Sequence, residues 1–410
     1  MQSWVQTVYR TVSSCSKNRA HFESGGISWL AGRWARFVQP ADTLFHNWCT
    51  DTHRSTCMSP RSIALAVAAL ATTLGAQAQS SYNLYGVVDL SLASMQTSGA
   101  AGSPANTRTT KVDGNNMVTS YIGFKGVEDL GGGLKAGFAL EAFLRPDVGA
   151  SGRSNADVFW GRAANVYLSS DLGKLTLGRQ GNLVFGQVAG YNPFGGAFGL
   201  SPAVRLTYGA VGNDVGDSGV SNAITYQTPN LAGFTASVQV QLGEDSTKAQ
   251  DTTYAGAVSY TAGPFSAGAS MQRVRSATAP KPALLAGQSQ NFGLVSASYD
   301  FGVAKLFAQY GQLGNNGYTG ASNIDTDVVQ LGASVPVTKD SKVLVSYGQS
   351  KEEAASGTTP AAVKHDIFTL AYDLWLSKRT DVYAAYMYDK EKAAGFKAGN
   401  SVVFGVRHAF

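Results

Sequence analysis

From residue 82 to the last residue, segments of about ten residues alternate between apolar and polar positions, and about sixteen such segments follow one another. The third segment shows the alternation best, with a purely apolar row of Leu134, Ala136, Phe138, Leu140, Ala142 and Leu144. The opposite row holds charges of both signs: Lys135, Gly137, Ala139, Glu141, Phe143 and Arg145. Such a period of two predicts strands with one apolar face and one face toward water.

The connections between these segments alternate between short turns marked by glycine and long polar loops. The short turns lie at 129–132, 171–173, 230–233, 261–264 and 300–302. The long loops lie near 96–117, 146–157, 181–221, 243–251, 276–289, 314–325, 351–363 and 391–399. A soluble β-sandwich has no reason to place every long loop at one end, whereas a barrel in an outer membrane has short turns at one rim and longer loops at the other. The pattern therefore predicts an all-β fold, a transmembrane antiparallel β-barrel.

Segment length sets the number of strands. Roughly 332 residues follow position 78, and about 150 of them lie in loops, which leaves about sixteen strands of ten or eleven residues. A sixteen-stranded barrel is too wide for side chains to fill, so it encloses water unless a segment folds into it. Aromatic residues crowd the segment ends, as interfacial girdles require: Tyr82, Tyr85, Tyr260, Phe265, Tyr299, Phe301, Tyr372, Trp375, Tyr386 and Tyr388.

The start of the chain differs from the rest in composition. Residues 58–78 hold a charged start, an apolar run at 63–70 and the small residues Ala76-Gln77-Ala78, which together predict a cleaved secretory signal peptide. Residues 1–57 precede this signal and have no periodicity, so we interpret them as a non-native upstream extension translated from a wrong start. A genuine cytoplasmic or regulatory extension is the alternative. The predicted mature chain is 79–410.

Removing residues 1–78 changes the charge. That segment holds seven of the 32 Lys and Arg and three of the 27 Asp and Glu, so the remainder carries 25 and 24 charges, a formal net charge of +1 instead of +5. The basic character is mostly a property of the leader and gives no reason to expect nucleic-acid binding. All three Cys also lie before residue 78, so we expect no disulfide, no metal centre and no cofactor in the mature chain.

Four motifs in order resemble the general diffusion porins of the Gram-negative outer membrane, within them the trimeric sixteen-stranded branch common in β-proteobacteria. They are Leu84-Tyr85-Gly86-Val87-Val88-Asp89, the run 123–136 (GFKGVEDLGGGLKA), Leu177-Gly178-Arg179-Gln180 and the ending 405–410 (GVRHAF). The resemblance covers 79–410. It implies a homotrimer among outer-membrane lipids that conducts ions and small hydrophilic solutes, and a terminal Phe410 recognised by the barrel assembly machinery.

In such porins the third long loop folds into the barrel and narrows it. Here that loop is 181–221, and Asn192-Pro193-Phe194-Gly195-Gly196 resembles the family's Pro-Glu-Phe-Gly-Gly motif without its Glu. Pro and Gly allow the chain to bend sharply against a wall. Apolar residues in the loop favour a packed insert: Tyr191, Phe194, Phe198, Leu200 and Leu206. We therefore expect residues 193–196 at the constriction.

Porins of this family set wall arginines against acidic groups of the loop. By resemblance Arg162 and Arg179 are wall arginines and Glu141 is a lumenal carboxylate, while Tyr121 stands where a further arginine is expected. Arg145 lies on the polar row and could replace a missing arginine, or could be neutralised by Glu141. The loop has no Asp or Glu between 181 and 213 and carries Arg205. The sequence therefore predicts a weakened transverse field and a modest anion preference.

The sequence gives weaker support to other functions. Acyl transfer needs a base beside a nucleophile, and the only histidines after residue 78, His365 and His408, are expected near opposite rims. A sugar-specific channel needs an aromatic track, for which Tyr121, Tyr191 and Tyr208 are scattered candidates. We rank a nonspecific diffusion channel first, a channel selective for small organic anions second and an enzyme last. Small residues expected to pack a trimer interface are Gly86, Ala93, Gly123 and Ala163.

Overall fold

A computed structural model describes residues 80–208, 216–243, 252–275, 289–314, 318–319, 322–354 and 363–410. All of them belong to one unit, Gln77–Phe410. The predicted extension and signal peptide, and most of the expected loops at 243–251, 276–289 and 351–363, lie outside the described residues.

Within the described ranges, sixteen antiparallel strands form a closed barrel, which confirms the predicted fold class. The first strand pairs with the last, with Val87 opposite Ala409, so the barrel has no free edge. Labelled in chain order, the strands are Ser81–Met95 (β1), Thr109–Gly114 with Tyr121–Gly131 (β2), Leu134–Arg145 (β3), Ala163–Ser170 (β4), Gly173–Gly181 (β5), Gly219–Gln227 (β6), Phe234–Gln241 (β7), Thr253–Ala262 (β8), Phe265–Arg275 (β9), Ser289–Asp300 (β10), Lys305–Gly314 (β11), Ser322–Thr338 (β12), Ser341–Ala354 (β13), Val363–Trp375 (β14), Thr380–Glu391 (β15) and Gly399–Ala409 (β16).

Side chains alternate between the outside and the inside of the barrel along these strands. In β14, Phe368, Leu370 and Tyr372 are exposed on the outer face, while Thr369 and Ala371 between them are buried. The outer face is apolar because it meets hydrocarbon, and the inner face can be polar because it meets water or the inserted loop. The girdle prediction is wrong for Tyr85, which lies on the inner row and donates a hydrogen bond to Glu141.

The short turns depend on glycine and on Asp or Asn side chains. Gly131, Gly132 and Gly302 have positive φ values of 84°, 60° and 80°, which L side chains rarely adopt. Asp129 accepts a hydrogen bond from the backbone N–H of Gly131 at 2.9 Å, and Asp300 accepts one from Gly302 at 2.8 Å. These local bonds close hairpins tightly at one rim.

The first long loop is shorter than the sequence suggests. Residues 109–114, expected within a loop at 96–117, continue the second strand and pair with β1, where Lys111 lies opposite Ala93. The chain then leaves the sheet at 115–120 and re-enters it at Tyr121. Asp89, fully buried on β1, accepts hydrogen bonds from the backbone N–H groups of Met117 and Val118 at 2.7 and 2.9 Å, which holds this break in place.

Most of the small residues expected at a trimer interface lie on the inner face of the barrel. Ala93 and Ala163 share their rows with Ser91 and Asn165 and are almost fully buried inside the barrel. A Cβ atom on Gly123 would lie 2.9 Å from the side chain of Glu141, which is also on the inner face. Only Gly86 lies on the outer row, and the ring of Phe410 covers it. That prediction was wrong for three of the four residues.

Candidate functional site

The connection from β5 to β6 folds into two helices, α1 (Leu183–Gly190) and α2 (Pro202–Tyr208). Asn182 caps α1, because its Oδ1 accepts hydrogen bonds from the N–H groups of Val184 and Phe185 at 2.9 and 3.2 Å. Pro202 opens α2, where its fixed φ suits the first helical position. Both helices pack on inner-facing residues of the wall, so the loop lies inside the barrel.

The predicted bend at 192–196 is built around the side chain of Asn192. Its Nδ2 donates to the carbonyls of Val188 and Gly195 at 2.7 and 2.9 Å, and its Oδ1 accepts from the N–H of Phe194 at 2.9 Å. Gly195 has a φ of +57°. Phe194 is 4% exposed in the apolar cluster, and Pro193 lies where a Cβ atom on Gly332 of β12 would stand. The motif therefore turns the loop and packs it against the wall.

Hydrogen bonds attach the inserted loop to the wall strands β9, β10 and β11. The Nε2 of Gln187 donates to Ser296 on β10 at 2.7 Å, and the Nε2 of Gln309 on β11 donates to the carbonyl of Tyr191 at 2.7 Å. The Tyr191 hydroxyl also lies 2.9 Å from Ser266 on β9. Tyr191 therefore anchors the loop rather than lining an open aromatic track.

An apolar core joins the loop to the same wall. Val184, Val188, Leu200, Val204 and Leu206 are at most 1% exposed. They belong to one cluster with wall residues that include Leu344, Ile367 and Met387. Tyr208 is 6% exposed and packs edge-on against Phe185, with ring centroids 5.1 Å apart. The loop is a rigid insert because burial of this apolar surface stabilises one position.

Arg205 attaches α2 of the insert to the barrel wall through an ion pair. Its Nη2 lies 3.3 Å from Asp389 on β15, whose other oxygen lies 2.6 Å from the Nε2 of His365. The Arg205 side chain is 12% exposed and that of Asp389 is 1% exposed. The charge of Arg205 is therefore largely compensated and not directed into open water.

On the opposite wall, charged and aromatic side chains of β1, of β2 and of the residue just before β4 form a cation–ring strip of Lys125, Tyr85, Tyr121 and Arg162. The guanidinium of Arg162 lies 4.1 Å from the Tyr121 ring centre, and the Lys125 amine lies 4.5 Å from that of Tyr85. The two tyrosine rings meet edge to face at 6.0 Å. Arg162 and Tyr85 both bond the carboxylate of Glu141. Arg162 remains 38% exposed, so its charge faces the lumen.

Arg145 does not pair with Glu141, contrary to the alternative considered from sequence. Its guanidinium donates to the carbonyls of Gly152 and Ser151 at 3.2 and 3.3 Å and to Asn155 Oδ1 at 2.7 Å. These partners carry no formal charge. Arg145 therefore keeps its positive charge while the second long loop fixes its direction.

Arg179 and Arg153 lock two loops together through Asp217, in what we call the Asp217 latch. Asp217 accepts from Arg179 Nη2 at 2.6 Å and from Arg153 Nη1 at 2.6 Å, and Arg153 also binds Asp157 at 2.8 Å. The hydrogen bond from Arg153 lowers the pKa of Asp157. Burial raises the pKa of Asp217, but hydrogen bonds from Arg153 and Arg179 outweigh this effect and lower it overall. Both carboxylates are ionised at neutral pH.

The sequence reasoning missed Arg153, Lys125 and the bonding role of Tyr85. Lys125 could have been found, because it lies on the inner row of β2 four positions from Tyr121, which was already selected. Arg153 lies in a loop without periodicity, so only the folded chain brings it to Asp217.

Among the described residues, no group of three or more His, Cys, Asp and Glu side chains is arranged to hold a metal ion. None of the helices in this part of the chain is long and apolar enough to cross a membrane.

Known proteins place the chain in a family. The sequence profile described as Gram-negative porin matches residues 64–394. Outer membrane porin protein 32 of Delftia acidovorans is 33% identical over 84% of this chain and 99% of its own length. An outer membrane porin protein of Bordetella pertussis is 27% identical, with the same shares covered. An anion-selective porin from Comamonas acidovorans superposes with a TM-score of 0.67 at 29% identity, over 81% of this chain and all of its own.

The profile match spans well over half of the chain, and the barrel superposes on a solved porin over 81% of this chain. The family, the fold and the location that the motifs imply are thereby confirmed. This chain belongs to the Gram-negative porins and is a channel protein of the bacterial outer membrane.

Proposed function

We propose that the barrel allows passive diffusion of ions and small hydrophilic solutes, with a modest preference for anions. The observation that carries the proposal is the rigid insert packed on one side of the lumen, opposite the cation–ring strip with its exposed Arg162. A solute must pass between the two. Residues 193–196 contribute by turning the insert against the wall.

The charges around the passage support the preference. Arg145, Arg153, Arg162 and Arg179 outnumber Glu141, Asp157 and Asp217 by one, and Lys125 adds a further positive charge. Arg205 contributes little because Asp389 compensates it. Excess positive charge at a constriction favours anions. The superposed porin of Comamonas acidovorans is named as anion-selective, which agrees with this sign.

Liposome swelling with sugars of graded size tests passive diffusion. We expect rapid swelling with a pentose, slow swelling with a disaccharide and none with a large oligosaccharide. If the barrel-containing liposomes do not swell with any sugar, the lumen is closed and the proposal is wrong.

A channel selective for small organic anions is the second candidate. The cation–ring strip favours it, because a flat carboxylate can contact an arginine and an aromatic edge together. Benzoate current that saturates with concentration, while chloride current rises linearly, is the result expected of such selectivity. Linear currents for both anions fit simple diffusion.

We propose that the protein has no enzymatic activity. His365 is 5% exposed and bonds Asp389, and His408 lies 2.9 Å from the Thr380 hydroxyl near the other rim. In the described part of the chain, His365 has no hydroxyl or thiol partner, and the pair of Thr380 and His408 has no third group that orients the imidazole.

We further propose a homotrimer that meets through β4 and β5. These strands have only eight and nine residues, fewer than most of the other barrel strands and at the lower limit for crossing a bilayer. Their outer face is apolar, with Val166, Leu168 and Leu177 between 44% and 57% exposed. Neighbouring subunits would cover this low, apolar part of the wall.

The leader remains a proposal: 58–78 is a signal peptide, and 1–57 is an extension absent from the mature protein. N-terminal sequencing of the protein purified from outer membranes should then begin at Gln79. A sequence that begins within 1–57 would show that the extension is retained.

Phe410 is proposed as the signal for assembly. Its backbone forms a pair of hydrogen bonds with Gly86 at 3.1 and 3.2 Å, and its side chain is 39% exposed on the outer face. Deletion of Phe410 should lower the amount in the outer membrane severalfold while refolding in detergent stays efficient. If the deletion lowers the amount in the outer membrane and the refolding yield in detergent equally, the role of Phe410 is purely structural.

A further inference from the structure

Two phenylalanine side chains of the insert lie against each other at the edge of the lumen. Phe185 lies on α1, and Phe198 lies between the bend at 192–196 and α2. Their rings stack with centroids 5.6 Å apart and an angle of 16° between the planes. Both are half-buried at the border of the apolar cluster. We call them the phenyl pair; because the insert lies inside the barrel, their accessible surface faces the lumen.

The surrounding residues fix the phenyl pair in one orientation. The ring of Tyr208 meets that of Phe185 edge-on at 5.1 Å and is itself almost fully buried. At the bend, a Cβ atom on Gly196 would lie 3.3 Å from the Phe185 ring, so a larger residue there would press on the ring. The pair is a preorganised aromatic surface, and a passing solute does not have to order it on contact.

Glycines keep the space beside the phenyl pair open. Gly186 and Gly190 lie one turn apart on α1, and both are exposed. A Cβ atom on either would meet nothing within 4 Å beyond the backbone of α1 itself. Glycine in a helix lowers stability relative to alanine, and neither residue has the positive φ that would require glycine. Packing and backbone conformation therefore do not explain these glycines, whereas an unobstructed passage along α1 does.

The insert carries no charge along this stretch. The sequence has no Asp, Glu, Lys, Arg or His between 180 and 204. Across the passage, Arg162 is 38% exposed and lies over the Tyr121 ring in the cation–ring strip. One side of the passage is thus aromatic and uncharged, and the other carries a fixed cation. These two surfaces together are complementary to a flat aromatic body with one carboxylate, because aromatic rings attract each other and a guanidinium binds carboxylate.

We propose that the phenyl pair makes the channel selective for aromatic monocarboxylates over aliphatic carboxylates of the same size and charge. The ring of the solute moves along Phe185 and Phe198 while the positive charge of Arg162 attracts its carboxylate. The proposal deepens the second candidate function and rests on an open, conducting lumen. The cation–ring strip alone distinguishes anions from cations, whereas the phenyl pair distinguishes one organic anion from another.

Benzoate and cyclohexanecarboxylate are the probes, since they have the same charge and nearly the same size but only benzoate has a flat aromatic ring. Reversal potentials of refolded 79–410, with each carboxylate opposed to chloride, give the two permeabilities. We expect benzoate to permeate at least about threefold better than cyclohexanecarboxylate. Equal permeabilities alongside a chloride conductance would overturn this proposal and leave the diffusion channel standing. No conductance of any ion would contradict the proposed function and this inference with it.

The variant F185L/F198L replaces both rings with aliphatic side chains and changes no charge. It should permeate benzoate and cyclohexanecarboxylate about equally. The matched control F368L/F404L makes the same two substitutions at exposed positions on the outer face of the barrel and should keep the preference for benzoate. If F185L/F198L keeps the preference, or the control loses it equally, the phenyl pair is not its source.

The variant Gly186→Leu tests whether the passage runs beside the phenyl pair. It places a side chain in the open space along α1, so the currents of benzoate and chloride should both fall at least about twofold. Unchanged currents would mean that solutes do not pass along α1, and the phenyl pair could not then select among them.

Discussion

Replacing Arg162 with Glu should convert the channel from a mild anion preference to a cation preference. The change removes one exposed positive charge from the lumen and adds a negative one beside Glu141. At about 5 Å in a water-filled passage each unit charge shifts an ion's energy by about 0.8 kcal/mol. A change of two charges therefore predicts a shift in the anion-to-cation permeability ratio of at least about fivefold, after allowance for salt screening.

Reversal potentials under a salt gradient measure this ratio. Arg162→Gln should give a shift of about half that size, because it removes the charge without reversing it. Arg379→Glu makes the same charge change in an exposed turn and should leave the ratio nearly unchanged. If Arg162→Glu and Arg379→Glu shift the ratio equally, Arg162 does not face the narrow part of the lumen.

Removing the insert should widen the channel more than any single substitution. Replacing 183–208 with a short Gly-Ser linker deletes α1, α2 and the bend at Asn192. A sixteen-stranded barrel without an insert encloses a broad aqueous lumen, so conductance should rise at least about twofold. Larger sugars should then enter liposomes that carry the variant.

Loop length itself needs a control. Shortening the connection 276–288 removes residues from another long loop and should leave conductance close to that of the parent protein. The parent insert also covers apolar wall residues such as Phe292 and Ile367, so refolding yield must be measured alongside. An unchanged conductance in a well-folded insert deletion would mean that the constriction lies elsewhere.

The strand pattern could be predicted from the sequence because each face of the barrel wall meets a single environment. The outer face meets lipid, and the inner face meets water or the inserted loop. Leu140 and Glu141 alternate for that reason, and the same rule gives the turns after Asp129 and Asp300. The same alternation also decides which face two of the small residues lie on. Gly123 shares its row with Lys125, and Ala93 shares its row with Asp89, so both belong inside the barrel. Their assignment to an outer interface ignored that parity.

The partners of the charged residues could not be read in the same way. Glu141 bonds Arg162 and Tyr85 from neighbouring strands, and Arg205 reaches Asp389 across 184 residues of sequence. Such pairs depend on barrel register and on the path of the insert, neither of which leaves a local pattern. The sequence therefore named Arg145, Arg162, Arg179 and Arg205 as candidates but could not tell that Arg205 is compensated and Arg145 is not.

Single-channel recording of refolded 79–410 in a planar bilayer, with the reversal potential measured under a salt gradient, tests the central claim most directly. Stepwise openings in groups of three with a mild anion preference are the predicted result. A cation preference would contradict the charge balance assigned to the constriction. Well-folded protein without any conductance would contradict the proposed diffusion channel itself.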